Sequence, residues 1–353
     1  MYLSAVLSYV IFFCVPRFFD WGYLMDYMQL MAQADELSLR GLGMTAPNPI
    51  VGALLIDSQG LIIAQEFHNS GLHAEAKAIN SLEQIPSGST LITTLEPCNH
   101  QGKTAPCSDL IIKSGIKKVV YAVTDSNDLA KGGAEKLAKA GVEVVAGILK
   151  EQVTFTNRFW LNKIRNSRPY FIWKVAMSLD AKIAAADGTS KWITGEAARE
   201  DVAILRAQSD LILIGTGTAL ADNPSLNTSV NSARQPKRLV MGKRPIPTDF
   251  KLNDKSATTY FLKSNDISEL ITYLNKLEVN QVLVEAGANL GTALLKHGVI
   301  DEVQIYMAPS ILGSGQSFVE NLQINSLSDR INYKIINTKM IDNDLKITLV
   351  RGI

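Results

Sequence analysis

The sequence predicts an α/β protein with two domains. The chain has 353 residues, more than the roughly 100–150 residues of a typical single domain. Hydrophobic residues make up 46% and charged residues 20% of the chain, so packed cores are expected rather than disorder. Apolar segments of strand length alternate with amphipathic segments of helical period, which is the order expected when helices cover a sheet.

The first α/β unit is predicted to close near residue 150. A helix over 26–40 opens it and ends at two glycines, Gly41 and Gly43. Strands are expected over 49–57, 61–67, 89–95, 117–123 and 142–147, and helices over 74–82, 108–115 and 133–141. One amphipathic helix over 151–166 then leads to a polar, basic stretch, 162–169, whose final proline suits a domain boundary.

The second α/β unit follows that boundary. Its strands are expected over 170–178, 211–215, 238–241, 281–287, 303–309 and 345–350, and its helices over 195–207, 267–276 and 290–297. We therefore predict an N-terminal extension, 1–24, a first domain, 25–166, and a second domain, 167–353.

The N-terminal extension has an unusual composition. The stretch MYLSAVLSYVIFFCVP carries no charge, yet it is shorter than the roughly 18–20 apolar residues that a membrane-spanning helix needs. It also lacks the basic start of a secretory signal peptide. We expect residues 1–24 to be dispensable, with a weak membrane anchor as the alternative.

Charge and cysteine content restrict the classes of partner. The formal net charge is +1 and no long basic run is present, which argues against a nucleic-acid partner. Three cysteines are too few for a disulfide framework. We expect a small-molecule substrate, no membrane partner and a cytoplasmic location, and a homo-oligomer is compatible with the sequence.

Two cysteines and a histidine predict a metal site. Cys98 and Cys107 each follow a proline and lie at a predicted strand-to-helix junction, whereas His73 opens the predicted helix over 74–82. One imidazole and two thiolates are a common catalytic zinc shell that leaves the fourth position for water, whose pKa the ion lowers to roughly 7. Helix N-termini favour the thiolate form of cysteine. The sequence therefore predicts catalytic Zn²⁺ on His73, Cys98 and Cys107.

Glu75 is the candidate proton carrier of that site. It lies two residues after His73, and at a helix start both side chains can point toward one ion. A His-x-Glu pair followed by Pro-Cys pairs is typical of zinc deaminases, in which the glutamate moves protons and does not bind the metal. The alternative is a non-catalytic structural zinc whose fourth ligand is His100; Glu75 would then have no role.

The motifs resemble one family over both predicted domains. The stretches APNPIVGALL, HAEAKAI, TLEPCNHQGKTAPCSDLI, KVAMSLDAKIA, SKWIT, LRAQSDLILIGTGTALADNPSL and VLVEAGANLGTALL are similar to those of the RibD family, the bifunctional deaminases/reductases of riboflavin biosynthesis. The eight residues between Cys98 and Cys107 are specific to this family among zinc deaminases. The resemblance implies an N-terminal cytidine-deaminase-like α/β/α sandwich and a C-terminal dihydrofolate-reductase-like α/β domain.

The resemblance also implies two consecutive reactions. In the first, 2,5-diamino-6-(5-phosphoribosylamino)pyrimidin-4(3H)-one loses an exocyclic amine as ammonia. In the second, NADPH reduces the ribosyl chain to ribityl, giving 5-amino-6-(5-phosphoribitylamino)uracil. The residues implied to hold the first substrate are Asn48, His68, His100, Lys103 and Thr104. A lysine and histidines suit a phosphate and a polar base.

For the second reaction the resemblance implies a larger set of residues. The implied NADPH-binding residues are Ala176, Trp192, Thr218, Asp222, Gly287, Ala288, Asn289, Leu290, Gly291, Thr292 and Ala293. The implied substrate-binding residues are Lys174, Ser190, Arg206, Leu226 and Glu285. The stretch GTGTAL at 215–220 lacks the third glycine of a Rossmann fingerprint, so a Rossmann domain is not expected.

Three positions depart from the family pattern. Ser229 stands where an arginine is usual, so phosphate binding in the second domain would fall to Arg234, Lys237 or Arg238. Ala181 replaces a usual glycine, and Lys243 replaces a usual serine. These departures concern the placement of the substrate and not the reaction class. The rival interpretation is a deaminase whose second domain has become a non-catalytic scaffold.

Overall fold

The computed structural model describes residues 21–69, 71–101, 105–127, 130–230 and 234–352. Two mixed α/β units follow one another along the chain, as predicted. Residues 1–20 of the predicted extension lie outside the described residues, and so do Lys103 and Thr104. Among the helices of the described ranges, none combines the length and apolar character needed to cross a bilayer.

The N-terminal unit is built on a five-stranded sheet. Its strands are β1 (Gly52–Ile56), β2 (Ile62–Phe67), β3 (Thr90–Leu95), β4 (Lys118–Val123) and β5 (Glu143–Ala146). They lie in the order β2-β1-β3-β4-β5, with β1 antiparallel to both neighbours and β3, β4 and β5 parallel. Every residue of β1 and β3 is buried, which explains why both are continuous runs of apolar residues and threonine.

Helices cover this sheet and lead to the second unit. They are α1 (Trp21–Ser38), α2 (Ala74–Asn80), α3 (Cys107–Ser114), α4 (Gly133–Lys139), α5 (Lys150–Thr156) and α6 (Arg158–Asn166), with a 3₁₀ turn at Leu39–Gly41. Two arginines attach α6 and the residues after it to the second unit. Arg158 donates to the fully buried Glu302, and Arg168 forms two 2.7 Å hydrogen bonds with Asp301.

The second unit contains an eight-stranded sheet and a small two-stranded one. Its strands are β6 (Tyr170–Ser178), β7 (Lys182–Ala185), β8 (Leu211–Gly215), β9 (Lys237–Met241), β10 (Thr259–Leu262), β11 (Gln281–Val284), β12 (Ile300–Ala308), β13 (Gly315–Ser317), β14 (Tyr333–Ile341) and β15 (Asp344–Arg351). Its helices are α7 (Glu196–Ala207), α8 (Thr216–Asp222), α9 (Ile267–Lys276) and α10 (Ala288–His297), with 3₁₀ turns at Lys251–Asn253 and Leu327–Asp329.

The order of the large sheet brings distant segments together. The strands lie as β10-β9-β8-β11-β6-β12-β15-β14, and the first six are parallel. Their carboxyl ends therefore meet along one edge, where ligands commonly bind in open parallel sheets. β7 and β13 form the separate pair beside this edge.

The structure differs from the sequence prediction at several elements. α1 begins at Trp21, five residues before the predicted start, and the predicted helix over 151–166 is two helices separated by Asn157. The residues after β8 form a short helix, α8, which was not predicted. β7, β10, β13 and β14 were not predicted, because short, exposed or edge strands lack the apolar pattern of buried ones.

Candidate active sites

His73, Cys98 and Cys107 form the metal-ligand cluster of the N-terminal domain. Their donor atoms all lie within 4.8 Å of one another. His73 Nδ1 is 3.5 Å from Cys98 Sγ and 3.3 Å from Cys107 Sγ. With zinc bond lengths of about 2.3 Å to sulfur and 2.0–2.1 Å to nitrogen, tetrahedral geometry requires S···N separations of about 3.5 Å. The three side chains therefore have the spacing of a zinc shell.

Local backbone structure sets this arrangement. His73 is the extended residue immediately before α2, so Glu75 falls in the first turn of that helix. Cys107 is the first residue of α3, and Cys98 lies three residues after the end of β3. The backbone N–H of Cys107 donates to Cys98 Sγ at 3.4 Å. A strand end and two helix starts thus converge on one point, as the sequence predicted.

A hydrogen bond between the two cysteine side chains shifts their pKa values in opposite directions. Donation from Cys107 lowers the pKa of Cys98 to about 4. The same hydrogen bond, together with burial, raises the pKa of Cys107. A divalent cation can replace that proton and accept both sulfurs as thiolates, because metal ligation requires deprotonated cysteine.

Glu75 lies buried beside the cluster with unused hydrogen-bonding capacity. Only 4% of the residue is exposed, and its Oε2 atom has no hydrogen-bond partner among the described residues. Burial raises the pKa of Glu75 to about 7, although the nearby His73 opposes that rise. A carboxyl group that titrates near neutrality can both accept and release a proton.

The other predicted residues of this site lie on adjoining segments. His68 Nδ1 is 3.1 Å from the Leu72 carbonyl oxygen. Because a carbonyl only accepts, Nδ1 carries the hydrogen and Nε2 is left as an acceptor. The rings of His68 and His73 meet edge to face with centroids 5.5 Å apart. His100 has a buried Nδ1 without a partner in the described part of the chain, and Asn48 lies at the junction of the two domains.

Glu96 is a residue near the cluster that the sequence analysis did not identify. Its buried carboxylate accepts from the backbone N–H groups of Asp125, Gly132 and Ala134, at 3.2, 3.2 and 3.0 Å. These bonds hold the loop between β4 and α4 next to Pro97 and Cys98. A lone acidic residue at the end of an apolar strand was the available signal.

The second candidate site is a large cavity in the C-terminal domain. It has a volume of about 1180 Å³ and opens at the carboxyl ends of β6, β8, β9 and β11. All but two of the residues predicted to bind NADPH or the second substrate line this cavity. The residues that line it are Lys174, Ala176, Ser190, Trp192, Arg206, Thr218, Asp222, Leu226, Glu285, Gly287, Ala288, Asn289, Leu290 and Ala293.

Gly291 and Thr292 are the two predicted residues that do not line the cavity. A Cβ at position 291 would lie 2.1 Å from the Trp173 ring, so this glycine permits α10 to pack on the sheet. Thr292 Oγ1 accepts from the Glu320 backbone N–H at 3.0 Å. Both residues are buried in the domain core.

Glu285 joins two cations beside the cavity. Arg206 donates to its two oxygens at 2.6 and 2.8 Å, and Lys174 Nζ lies 3.4 Å from Oε2. Burial alone would raise the pKa of Glu285, but Arg206 and Lys174 outweigh it and lower the value to about 2. The carboxylate therefore stays ionised and orients both cations.

A second cluster of charged and polar residues at this cavity was not identified by the sequence analysis. Tyr306, which lines the cavity, donates to Asp201 Oδ2 at 2.5 Å, and Lys346 Nζ donates to the same oxygen at 2.5 Å. The three residues come from β12, α7 and β15. No short-range sequence pattern connects them.

The departures from the family pattern have structural consequences. Arg238 is fully buried and donates to Ser225 O, Asp254 Oδ1 and Ala257 O. Lys237 Nζ donates to Leu277 O, and Arg234 lies 3.9 Å from Asp210. None of the three lines the cavity, and because the guanidinium of Arg238 is buried, the expectation that this residue binds phosphate was wrong.

Ala181 occupies a backbone conformation that favours glycine. Its φ is +61°, in the left-handed region where a Cβ costs roughly 1–2 kcal/mol. The residue closes the turn between β6 and β7, where Ala181 N donates to Ser178 O at 3.0 Å. The glycine usual in the family would fit this turn without that cost.

Both domains match known sequence families. Residues 25–123 match the family described as the cytidine and deoxycytidylate deaminase zinc-binding region. Residues 169–347 match the RibD C-terminal domain. The two matches lie on either side of α6.

Relatives and solved structures are similar over nearly the whole chain. The riboflavin biosynthesis protein RibD of Mycobacterium tuberculosis is 37% identical over 329 residues, covering 91% of this chain and 96% of that protein. RibD of Escherichia coli K12 is 32% identical over 360 residues, covering 91% and 98%.

Two crystal structures share the architecture of both domains. One is a diaminohydroxyphosphoribosylaminopyrimidine deaminase/5-amino-6-(5-phosphoribosylamino)uracil reductase of Thermotoga maritima, with a TM-score of 0.88, 33% identity and coverage of 94% of this chain and 100% of that one. Acinetobacter baumannii RibD has a TM-score of 0.86 with the same identity and coverage. The chain therefore belongs to the RibD family of riboflavin biosynthesis, with an N-terminal deaminase domain and a C-terminal reductase domain.

Proposed function

We propose that this protein deaminates 2,5-diamino-6-(5-phosphoribosylamino)pyrimidin-4(3H)-one and then reduces the ribosyl chain of the product with NADPH. The observation that supports the proposal is the presence of two candidate sites in one chain. One is a His–Cys–Cys cluster with a buried glutamate beside it. The other is a cavity beside which Lys174, Glu285 and Arg206 form a charged cluster.

In the deaminase domain, His73, Cys98 and Cys107 would hold zinc. Three protein ligands at this spacing leave a fourth position open, as catalytic zinc sites do. When bound, the ion supplies Lewis acidity and lowers the pKa of water to about 7. His100 is not part of the three-residue cluster that the described residues form, which favours the catalytic over the structural alternative.

Glu75 would move the protons of the deamination. Its buried carboxylate has a pKa near 7 and a free oxygen. It can accept a proton from the attacking water and deliver it to the leaving amine. Neutral His68 offers Nε2 as an acceptor, and burial, the main effect, lowers the pKa of this imidazole. His68, His100 and Asn48, with Lys103 and Thr104, would position the pyrimidine and its phosphate.

In the reductase domain, the cavity residues fit an extended dinucleotide. Gly287 precedes α10, a ten-residue helix, and places backbone N–H groups toward the cavity. β9 and β6 are separated by two strands, so their carboxyl ends lie about 14 Å apart at normal strand spacing. NADPH supplies a hydride when bound. Lys174, Arg206, Ser190, Leu226 and Glu285 would hold the ribosyl chain against it.

Lys174→Ala should separate the two reactions. We expect this variant to release ammonia at the wild-type rate yet oxidise little NADPH, because the ammonium beside Glu285 is lost from the ribosyl pocket. Because a charge-assisted hydrogen bond contributes about 1.5–3 kcal/mol, the rate of NADPH oxidation should fall about 10- to 100-fold. Ammonia release and the absorbance of NADPH, followed in the same reaction, measure both steps. Undiminished NADPH oxidation would contradict the role of Lys174.

Three cations without ion-pair partners suggest where phosphates bind. Lys243 and Arg244 follow β9, the Lys251 backbone N–H donates to Asn223 Oδ1, and all three cations line the cavity. In the described chain, none of the three forms a salt bridge, whereas Lys191 pairs with Asp222. We assign Lys243 and Arg244 to the additional phosphate of NADPH and Lys251 to the phosphate of the substrate.

Charge-removing variants should distinguish these two phosphates. Lys243→Ala with Arg244→Ala should weaken NADPH binding about 10-fold or more while NADH binding is unchanged, since charge-assisted hydrogen bonds contribute about 1.5–3 kcal/mol. Lys251→Ala should raise KM for the deaminated substrate and leave the Kd of NADPH unchanged. Fluorescence titration measures both Kd values, and exposed Lys276→Ala is the matched control. Unchanged Kd and KM values would contradict both assignments.

One experiment tests the proposed function as a whole. The diaminopyrimidine substrate is supplied with NADPH, and ammonia and NADPH are followed together. Both signals should change, with ammonia release preceding NADPH oxidation. Ammonia release alone would favour the deaminase with a non-catalytic second domain, and neither signal would contradict the proposal.

A further inference from the structure

The segment that carries Asn48 lies between the two domains. On its deaminase side, the His68 backbone N–H donates to Val51 O at 2.8 Å, beside the metal cluster. On its reductase side, Asn280 Nδ2 donates to the Asn48 carbonyl oxygen at 3.0 Å. The wall of the proposed deaminase pocket is therefore supported from the other domain.

The turn around Asn48 is compact. Asn48 N donates to Thr45 O at 2.9 Å, and Thr45 Oγ1 donates to Asn48 O at 3.1 Å. The Asn48 carbonyl thus accepts one hydrogen bond from each domain. Both donor residues are buried, with Thr45 6% and Asn280 5% exposed, and both hydrogen bonds are partly buried.

Asn280 itself is held firmly by the reductase domain. The backbone N–H groups of Asn280 and Gln281 donate to Asp210 Oδ2 at 2.9 and 3.0 Å. Asn280 O accepts from the Tyr170 N–H at 2.9 Å. The backbone of Asn280 is therefore held by the reductase sheet, and its side-chain amide reaches from there to the deaminase turn.

A second contact holds the same segment against the reductase domain. Gly43 has a φ of +72°, and a Cβ at this position would lie 2.6 Å from the Ala207 carbonyl oxygen at the end of α7. The chain before Asn48 thus passes so close to the second domain that a side chain has no room. Adding a methyl group here would push the segment away from Asn280.

We infer that Asn280 of the reductase domain is a positioning residue for the deamination, because it holds the backbone of Asn48 at the pyrimidine pocket. The inference rests on the proposed role of Asn48 in binding the first substrate. Asn280 contacts none of His73, Cys98 and Cys107, so its effect falls on substrate binding and not on metal retention. In this part of the chain the reductase cavity begins at Glu285, which lies about 16 Å beyond Asn280 in the direction of β11.

The test uses the full-length enzyme with both activities measured. Asn280→Ala should raise the deaminase KM about 5- to 10-fold with little change in kcat, the size of effect expected from one lost hydrogen bond. Gly43→Ala should also raise the deaminase KM, because the added methyl group displaces the segment that carries Asn48. Asn280→Gln keeps a donor amide, so it should raise the deaminase KM less than Asn280→Ala does. Zinc content and reductase kinetics with the deaminated substrate should remain normal in all three variants.

The reductase serves as an internal reporter of folding. Asn275→Ala is the matched control, because Asn275 Nδ2 also donates to a backbone carbonyl, at 2.8 Å, but that carbonyl belongs to Ser167 and not to Asn48. An unchanged deaminase KM in Asn280→Ala and Gly43→Ala would overturn the inference. Parallel loss of reductase activity would also overturn it by showing a purely structural role. Absence of ammonia release from the unmutated chain would instead overturn the proposed function, and the inference with it.

Discussion

Glu75→Gln is expected to retain zinc and to lose about 10²–10⁴-fold or more in ammonia release. The amide matches the carboxylate in size but cannot accept a proton from water and return it to the leaving amine. The variant should consume no NADPH when given the diaminopyrimidine, because the reductase acts on the deaminated ring. It should consume NADPH at a near-normal rate when given the deaminated aminouracil.

Measurements for Glu75→Gln separate chemistry from folding. Metal analysis verifies that the His73, Cys98 and Cys107 cluster is intact, and the reductase rate with the deaminated substrate verifies the second domain. Glu83→Gln, an exposed residue just after α2, is the matched control. NADPH oxidation by Glu75→Gln on the undeaminated substrate would show that the proposed order of reactions is incorrect.

Cys98→Ala is expected to abolish both metal binding and ammonia release. Wild-type protein should contain about one zinc per chain, and removing one of three ligands leaves an incomplete shell. The loss should reach at least the 10²–10⁴-fold expected for Glu75→Gln, since the metal supplies the nucleophile. Metal analysis and an ammonia assay on the same sample measure the two effects.

A control near the cluster distinguishes ligation from packing. Ser108→Ala removes a buried hydroxyl that lies 3.3 Å from Asn99 Oδ1, next to Cys107, without touching a ligand. It should keep zinc and most deaminase activity. Full ammonia release by a zinc-free Cys98→Ala preparation would refute the site. NADPH oxidation with the deaminated substrate should continue in both variants, because no ligand lies in the second domain.

A site could be predicted where its residues lie close together in the sequence. His73 and Glu75 share one helix start, and Cys98 and Cys107 lie at one strand-to-helix junction. Local backbone geometry already directs these side chains, so the metal cluster was identified from residue types and spacing. The alternation of strands and helices was equally local, and the α/β class was confirmed by both sheets.

Interactions across large sequence separations were decided by the tertiary structure. The phosphate assignment failed for Arg238 because this residue lies on β9 facing the loop at 254–257, which buries its guanidinium. Asp201 lies more than a hundred positions from both Tyr306 and Lys346 in the sequence. Their contact depends on the order of strands in the sheet, which local patterns do not determine.

The sequence by itself indicated the α/β class of this protein, its candidate metal ligands and its candidate proton carrier. Only the tertiary structure decided which cations remain free in the reductase cavity and which residue of one domain supports the pocket of the other. Asn280 and Asn48 are 232 positions apart. Local periodicity reports on neighbours within a few turns, whereas such contacts arise only when the strand order places β11 beside β6 and the two domains pack together.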